Sequence, residues 1–597
     1  MRGSGHVVAG FSPRSDSLTR AKARDYTNPV TYIIFAILEY FIYFYRNSHF
    51  FQGDTIYYFY LRHRSVGDFL LNFFQLDPAG WYRPLAARTI QSAFYPLFGL
   101  EPAGYRIVQY VLFLGALFVT YKLAFIVTRR RLAGIIAVFF FGVHTVNAYI
   151  TYDVAFAPEI IYTLFYVCTV IAYLGRRLGL SIAFFLATLA SKEPAVTLPF
   201  MLVALDVILN RATIWAALKQ ARMHLGILVI YVALVWGYLG VQRPAFQSIV
   251  KRPGPEVSYR FALDRTIVEN IHTATTWAFN IPRGWQTESR HLQGWSITFL
   301  RLFRAVVLIL ALWLMFRPER RFVLAGFAWF FIAVGPALPL FEHFMPHYLF
   351  LPLVGFSIAI GVIADAAYRK AGITVAVPLI VLAGICAIAA RNDARDNRIL
   401  GWSSRLAFNS LGDLKAQHPA LQPNTTIYFS DADEPDLSWD TSQGQLFKME
   451  YNDETIRTRY WGWGEVITKD ALERGPVIVM KVSQFHFKDV TQEFLASSET
   501  PVGYRASEEY RLAVEPAAAK AGGKYSLSLS PLTNSDVTLH YTLNGGPVHA
   551  FAAHLDDRSR ASFDISDHTE KGLYKFVGFR KPGTDDWFQL AGSIRIE

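Results

Sequence analysis

Apolar and polar residues in this chain separate into long blocks rather than alternating at short period. A polar, basic stretch runs to about Asn28 and carries Arg2, Arg14, Arg20, Lys22 and Arg24; an apolar run from Pro29 to Tyr45 follows. Ten later apolar segments are also long enough to span a bilayer: 105–128, 132–150, 157–175, 178–190 with its flanks, 194–209, 223–241, 297–316, 322–340, 347–367 and 372–390. A bilayer core takes about 20 mainly apolar residues per helix, so the pattern predicts about eleven transmembrane helices. No small-residue cleavage pattern follows the first run, which therefore reads as a retained span and not a secretory signal.

The basic residues give the orientation. With the N-terminus inside, five clusters fall in loops on the same side: Arg129-Arg130-Arg131, Arg176-Arg177, Arg211 to Arg222, Arg317 to Arg321, and Arg369-Lys370. Short loops rich in Lys and Arg stay cytoplasmic, so all five agree on one topology. The opposite loops are 47–104, 145–158, 190–194, 242–296 and 341–347.

Past about Arg391 the apolar runs stop and the pattern becomes globular; an odd number of spans places this part outside. Ser404 to Ala416 has helical periodicity, and Thr426 to Phe429 and Val477 to Val482 read as short buried strands. These predict a small α/β unit over 392–508. From 509 to 597 alternation takes over, in Tyr525 to Ser530, Val537 to Leu543, Val548 to Ala552, Gly572 to Arg580 and Trp587 to Ile596. Asn544-Gly545-Gly546 and Lys581-Pro582-Gly583 are turn signals between strands, and an immunoglobulin-like β-sandwich is expected. The predicted division is a cytoplasmic tail (1–28), a membrane domain (29–391), the α/β unit and the sandwich. No internal repeat or low-complexity tract is visible.

Composition sharpens this picture. Of 597 residues, 52% are hydrophobic and only 18% charged, too few charges for a soluble chain of this length. The formal charge of +11 is accounted for by the loop clusters, so nucleic acid is not an expected partner. Cys168 and Cys386 lie inside apolar runs and read as small buried residues.

The topology collects polar residues at the outer face. Asp54, Tyr82, Arg83, His144, Asn147, Asp153, Glu159, Ser191, Lys192, Glu193, Glu342, His343 and His347 come from at least five loops or lie within a turn of them. Ionisable groups near bilayer depth usually line a functional cavity. Each has a plainer reading. Asp54 serves equally as an N-cap for a helix at Thr55, Arg83 as a snorkelling side chain, and His144 with Asn147 as glue on one helix face. Lys192 and Glu193 read as a local ion pair. His272, His291 and the acidic stretch Asp431 to Glu434 read as solvated loop groups.

In order and spacing, four segments of the chain resemble a known class. They are Tyr82-Arg83-Pro84-Leu85, Val143-His144-Thr145-Val146-Asn147, Leu189 to Pro194 with Leu205-Asp206, and His347 to Pro352. Over roughly residues 30–390 the sequence resembles the GT-C class of membrane glycosyltransferases, nearest the bacterial relatives of the TPR-bearing protein O-mannosyltransferases. Where the family often pairs acids in the first outer loop, Asp54 has no acidic neighbour in sequence. The family's His-Pro-x-His is His144-Thr-Val-Asn147 here, His347 stands where Arg is usual, and TPR repeats are missing.

The resemblance implies inverting transfer of a sugar from a polyprenyl-phosphate carrier to an extracytoplasmic protein, lipid or polysaccharide acceptor. It places the chain in a bacterial inner membrane with its C-terminal part on the periplasmic side. Asp54 is the expected general base, with Asp153 and Glu159 orienting hydroxyls or, with His144, holding a divalent cation (Mg, Mn or Zn). Arg83, Lys192 and Tyr82 are the expected partners of the donor phosphate; Asn147, Glu193, His347 and Tyr348 are expected to line the substrate. The competing readings are a flippase of lipid-linked sugars, which would show broken helices at mid-depth and an internal repeat, and a catalytically inactive scaffold.

Overall fold

In the computed structural model the described residues are 29–45, 49–77, 81–239, 260–283, 292–341, 343–430, 437–461, 465–483, 485–496, 502–505, 509–520, 522–543, 548–565, 569–584 and 586–596. The basic tail, His291, Glu342, the acidic stretch Asp431 to Glu434 and the turn at Asn544 to Gly546 lie outside them, as do residues 242–259 and 284–291 of the 242–296 loop.

Each expected apolar segment contains helix, but fewer than the eleven expected are long and apolar enough to count as spans among the described residues. Seven helical runs are long and apolar enough to cross a membrane, and Thr31–Phe44, Arg131–Gly142 and Leu178–Leu189 are shorter apolar helices. One of the seven, Pro346–Gln417, joins Phe350–Ala371, Ala376–Arg395 and Arg398–Gln417 in succession. The chain is thus a polytopic helical membrane protein with a sheet-rich C-terminal part. Close helix packing relies on small residues. A Cβ at Gly361 would fall 2.2 Å from the Ala133 carbonyl oxygen, and one at Gly326 2.5 Å from that of Gly355.

One expected span is interrupted. The segment 132–150 forms a helix only over Arg131–Gly142, then turns before the short helix Asn147–Ile150. The Asn147 amide donates to the Phe141 and Gly142 carbonyls at 2.6 and 2.8 Å. It satisfies acceptors that the end of a helix leaves open, and so fixes the break.

The loops of the basic side meet one another. Arg130 pairs with Glu319 (2.9 Å) and Asp365 (3.2 Å), and Arg369 pairs with the same two acids (3.1 and 3.2 Å).

Beyond the bundle, the buried strand Thr426–Phe429 runs parallel to Arg457–Tyr460 and to Val477–Ser483, and the last of these pairs antiparallel with His486–Asp489. This small α/β sheet packs on the first loop. Phe51, Ile56 and Phe59 share a core with Leu406, Ile427, Phe429 and Phe447. The contact is tight: a Cβ at Gly53 would lie 2.0 Å from the Trp439 carbonyl oxygen. The terminal part is a two-sheet sandwich. A five-stranded sheet centred on Gly572–Arg580 and a three-stranded sheet centred on Lys524–Ser530 enclose Leu527, Leu529, Leu539, Phe576, Phe579 and Leu590.

Candidate functional site

Asp54 sits in the first turn of the helix Gly53–Tyr60, where a carboxylate is favoured by the helix dipole. It is not the N-cap. Gln52 is, and its side-chain oxygen accepts from the Asp54 amide at 3.3 Å. The acidic neighbour that Asp54 lacks in sequence comes from another loop. Burial raises the Asp54 carboxyl to about 6, helped by the nearby Asp153 charge and opposed by Gln52 and Arg83.

Asp153 has a different role. Its Oδ2 accepts from the Gln52 amide (3.0 Å), and its Oδ1 accepts from the Thr55 hydroxyl and from the Ala155 amide (2.9 Å). It caps the turn Val154–Phe156 while clasping both residues that flank Gly53-Asp54. Through these three bonds Asp153 positions the Asp54 loop.

The cations come from two further loops. Arg83 makes a forked pair with Glu193, with Nε 2.8 and 3.1 Å from its two oxygens and Nη2 at 2.8 Å, and lies over the Trp81 ring at 4.8 Å. Lys192 pairs with Glu159. The local Lys192–Glu193 pair expected from adjacency is therefore not formed, because the extended Lys192 backbone points successive side chains apart. Lys192 Nζ also lies 5.8 Å from the Tyr348 ring centre, and the Glu159 Oε1 atom is 3.9 Å from His347 Nε2. His347 packs on Tyr348 at 4.3 Å, and its Nδ1 is buried without a hydrogen-bond partner. The charges of Arg83 and Lys192 both reach His347, so the two pairs belong to one cluster.

Other expected residues stand apart. The Tyr82 hydroxyl donates to the Phe73 carbonyl (3.0 Å), and its ring meets Tyr231 edge-on. His144 and Asn147 are fully buried in the turn after Gly142 and share no helix face. His144 Nδ1 accepts from the Val146 amide (3.2 Å), and Nε2 lies 3.3 Å from the Ala278 carbonyl. His144 therefore ties the turn to the segment before the 284–291 stretch.

Among the described residues a divalent cation has no ready cage, since no three His, Cys, Asp or Glu side chains gather as metal ligands. Asp153 is consumed by its backbone and hydroxyl donors, Glu159 by Lys192, and His144 by the peptide groups around it. Two residues not anticipated from sequence take part. Gln52 and Thr55 fix the Asp54 turn, and only their place beside Asp54 would have marked them. Glu39, the lone carboxylate of the first apolar run, is fully buried with neither oxygen hydrogen-bonded.

No protein-family model matches the chain, and no curated protein matches it. Similar solved structures exist. The Archaeoglobus fulgidus oligosaccharyltransferase in the apo form is 10% identical over 96% of this chain and 99% of that one, with a TM-score of 0.42. The same archaeal enzyme, AglB, with an inhibitory peptide and a dolichol-phosphate, is 9% identical over the same shares, TM-score 0.42. ArnT from Cupriavidus metallidurans, in the apo state, is 12% identical over 81% of this chain and 95% of that one, TM-score 0.34. Likeness at these scores assigns neither fold nor activity by itself.

Proposed function

We propose that the protein is a GT-C-type membrane glycosyltransferase. It moves a sugar from a polyprenyl-phosphate carrier to an acceptor hydroxyl on the outer side of the membrane. The observation that carries the reading is the meeting, at one end of the bundle, of a half-buried carboxyl raised to about 6 with two paired cations, Arg83 and Lys192. The resemblance of the four sequence segments supports the same assignment, and the five basic clusters at the other end support an outward-facing site.

The acceptor oxygen attacks the anomeric carbon as the bond from that carbon to the phosphate oxygen breaks, inverting the centre. The acceptor's proton passes to Asp54, for which a pKa near neutrality is favourable: a base must be ionised yet still bind a proton. The leaving phosphate gains negative charge as the bond breaks, and Arg83 and Lys192 are the cations placed to meet it. Donor binding then exchanges the Glu193 and Glu159 carboxylates for phosphate oxygens, with Arg83 presenting its fork and Lys192 a point charge. Asp153 holds the base in place, and His347 and Tyr348 line the donor side.

The test is transfer in membranes given radiolabelled polyprenyl-phosphate sugars, wild type against Asp54→Asn. The reading requires transfer by the wild type that falls about 100- to 10,000-fold in the variant. Equal transfer by both would remove Asp54 as base. Movement of lipid-linked sugar across the membrane without transfer would make the protein a flippase.

A further inference from the structure

A second charged feature lies outside the Asp54 cluster. Arg301 and Arg304 interrupt the apolar helix Gly294–Leu314, a span by length and composition. At 1.5 Å per residue they lie about 10 and 15 Å along the axis from Gly294. With His272, Thr276, Ile281, Pro282 and Arg283 they line a cavity of about 190 Å³.

Snorkelling explains one arginine reaching toward headgroups, but it does not explain three converging on a single cavity. Among the described residues no lining residue is acidic, and neither Arg301 nor Arg304 forms an ion pair. Guanidiniums keep their charge under all ordinary conditions, so the repulsion between Arg301 and Arg304 cannot be relieved by deprotonation. An anion relieves it. The Arg283 Nε bond to the Thr273 hydroxyl (3.1 Å) holds one of the three in place.

The position says which anion. Leu302, Val306, Ile309 and Leu312 are exposed on the same helix, the surface expected against hydrocarbon. The cavity is at the same end of the bundle as the candidate site, to which Trp277 is joined by stacking on Phe344 at 5.5 Å. It shares no residue with the Asp54, Arg83 and Lys192 cluster. We propose that this cavity binds the phosphodiester headgroup of an anionic outer-leaflet phospholipid, with the acyl chains lying along the exposed face of Gly294–Leu314. The inference does not depend on the proposed transferase activity.

The experiment uses the full-length protein in detergent, delipidated and titrated with short-chain phosphatidylglycerol, phosphatidylcholine, inorganic phosphate and a polyprenyl phosphate, with Tm and native mass spectrometry as readouts. Phosphatidylglycerol should bind and raise Tm, phosphatidylcholine should not, and inorganic phosphate should bind at least tenfold more weakly. The double variant Arg301→Gln with Arg304→Gln should lose phosphatidylglycerol binding at least tenfold. The Arg301→Lys with Arg304→Lys variant should keep most of it, which separates lost charge from lost folding. Equal binding by the glutamine variant, or equal binding of the two phospholipids, would overturn the proposal. Displacement of phosphatidylglycerol by equimolar polyprenyl phosphate, dependent on the same arginines, would overturn it in favour of a carrier site.

Discussion

Two groups of ion pairs sit at opposite ends of the bundle, and they are wired differently. At the basic end Glu319 and Asp365 are each shared by Arg130 and Arg369, in a closed square whose arginine side chains are 26% and 49% exposed. At the other end Arg83 pairs with Glu193 and Lys192 with Glu159, neither acid being shared between the two cations, and Lys192 and Glu159 are only 9% and 5% exposed. A square in which each acid is shared by two arginines fastens loops together. Pairs that share no acid, beside an unmatched His347 Nδ1, hold charges that a better partner can take over. Stoichiometry, rather than residue type, separates a staple from a site.

The contrast breaks most visibly at Lys192. Lys192→Met leaves Glu159 buried and unpaired, and a loss of about 3–5 kcal/mol is expected in the Tm-derived stability of the purified protein. Adding Glu159→Leu should restore most of that stability without restoring sugar transfer. Recovery of both would mean the pair only supports the fold.

Asp153→Asn is the next largest. It turns one of the two oxygens, which between them accept from the Gln52 amide, the Thr55 hydroxyl and the Ala155 amide, into an NH2 that cannot accept, costing about 1–3 kcal/mol by denaturant titration. It also removes a charge that raises Asp54, so the acid limb of activity should move to lower pH.

Asp54→Asn should do the opposite to stability. An acid raised from 3.8 to about 6 on folding loses stability as pH climbs through that interval, and asparagine has no charge to develop. Discounted for its partial exposure, the gain at pH 7 is about 1–2 kcal/mol, seen as a higher Tm in a variant that no longer transfers sugar. A lower Tm would make Asp54 a structural residue.

The smallest effect belongs to the other end. Arg369→Gln opens one corner of the exposed square and should change stability by less than about 1 kcal/mol, with transfer rates unaltered.

Much of this was legible in the sequence because membranes impose segment length and loop charge directly. The apolar runs, the five basic clusters and the strand pairs Gly572–Arg580 and Trp587–Ile596 all reappear in the structure. Pairing was not legible. Lys192 and Glu193 are neighbours in sequence yet choose Glu159 and Arg83, 33 and 110 positions away, since an extended backbone turns adjacent side chains apart. Asp153 reads as catalytic because a carboxylate at the membrane surface is conspicuous, and nothing local reveals that it also holds the Gln52 amide and the Thr55 hydroxyl. The break after Gly142 was hidden because hydropathy averages over a turn whose polar groups are satisfied internally. Glu39, Arg301 and Arg304 were lost in the same averaging.

The central claim is that Asp54 is a base whose proton affinity is set by burial and by Asp153. The most direct measurement is the pH dependence of sugar transfer, at sub-saturating donor, in wild type and Asp153→Asn. The account predicts a wild-type rate that rises with pH and reaches half its plateau near pH 6, with the half-point at lower pH in the variant. A wild-type limb at ordinary carboxylate pH, or one that Asp153→Asn leaves in place, would contradict it.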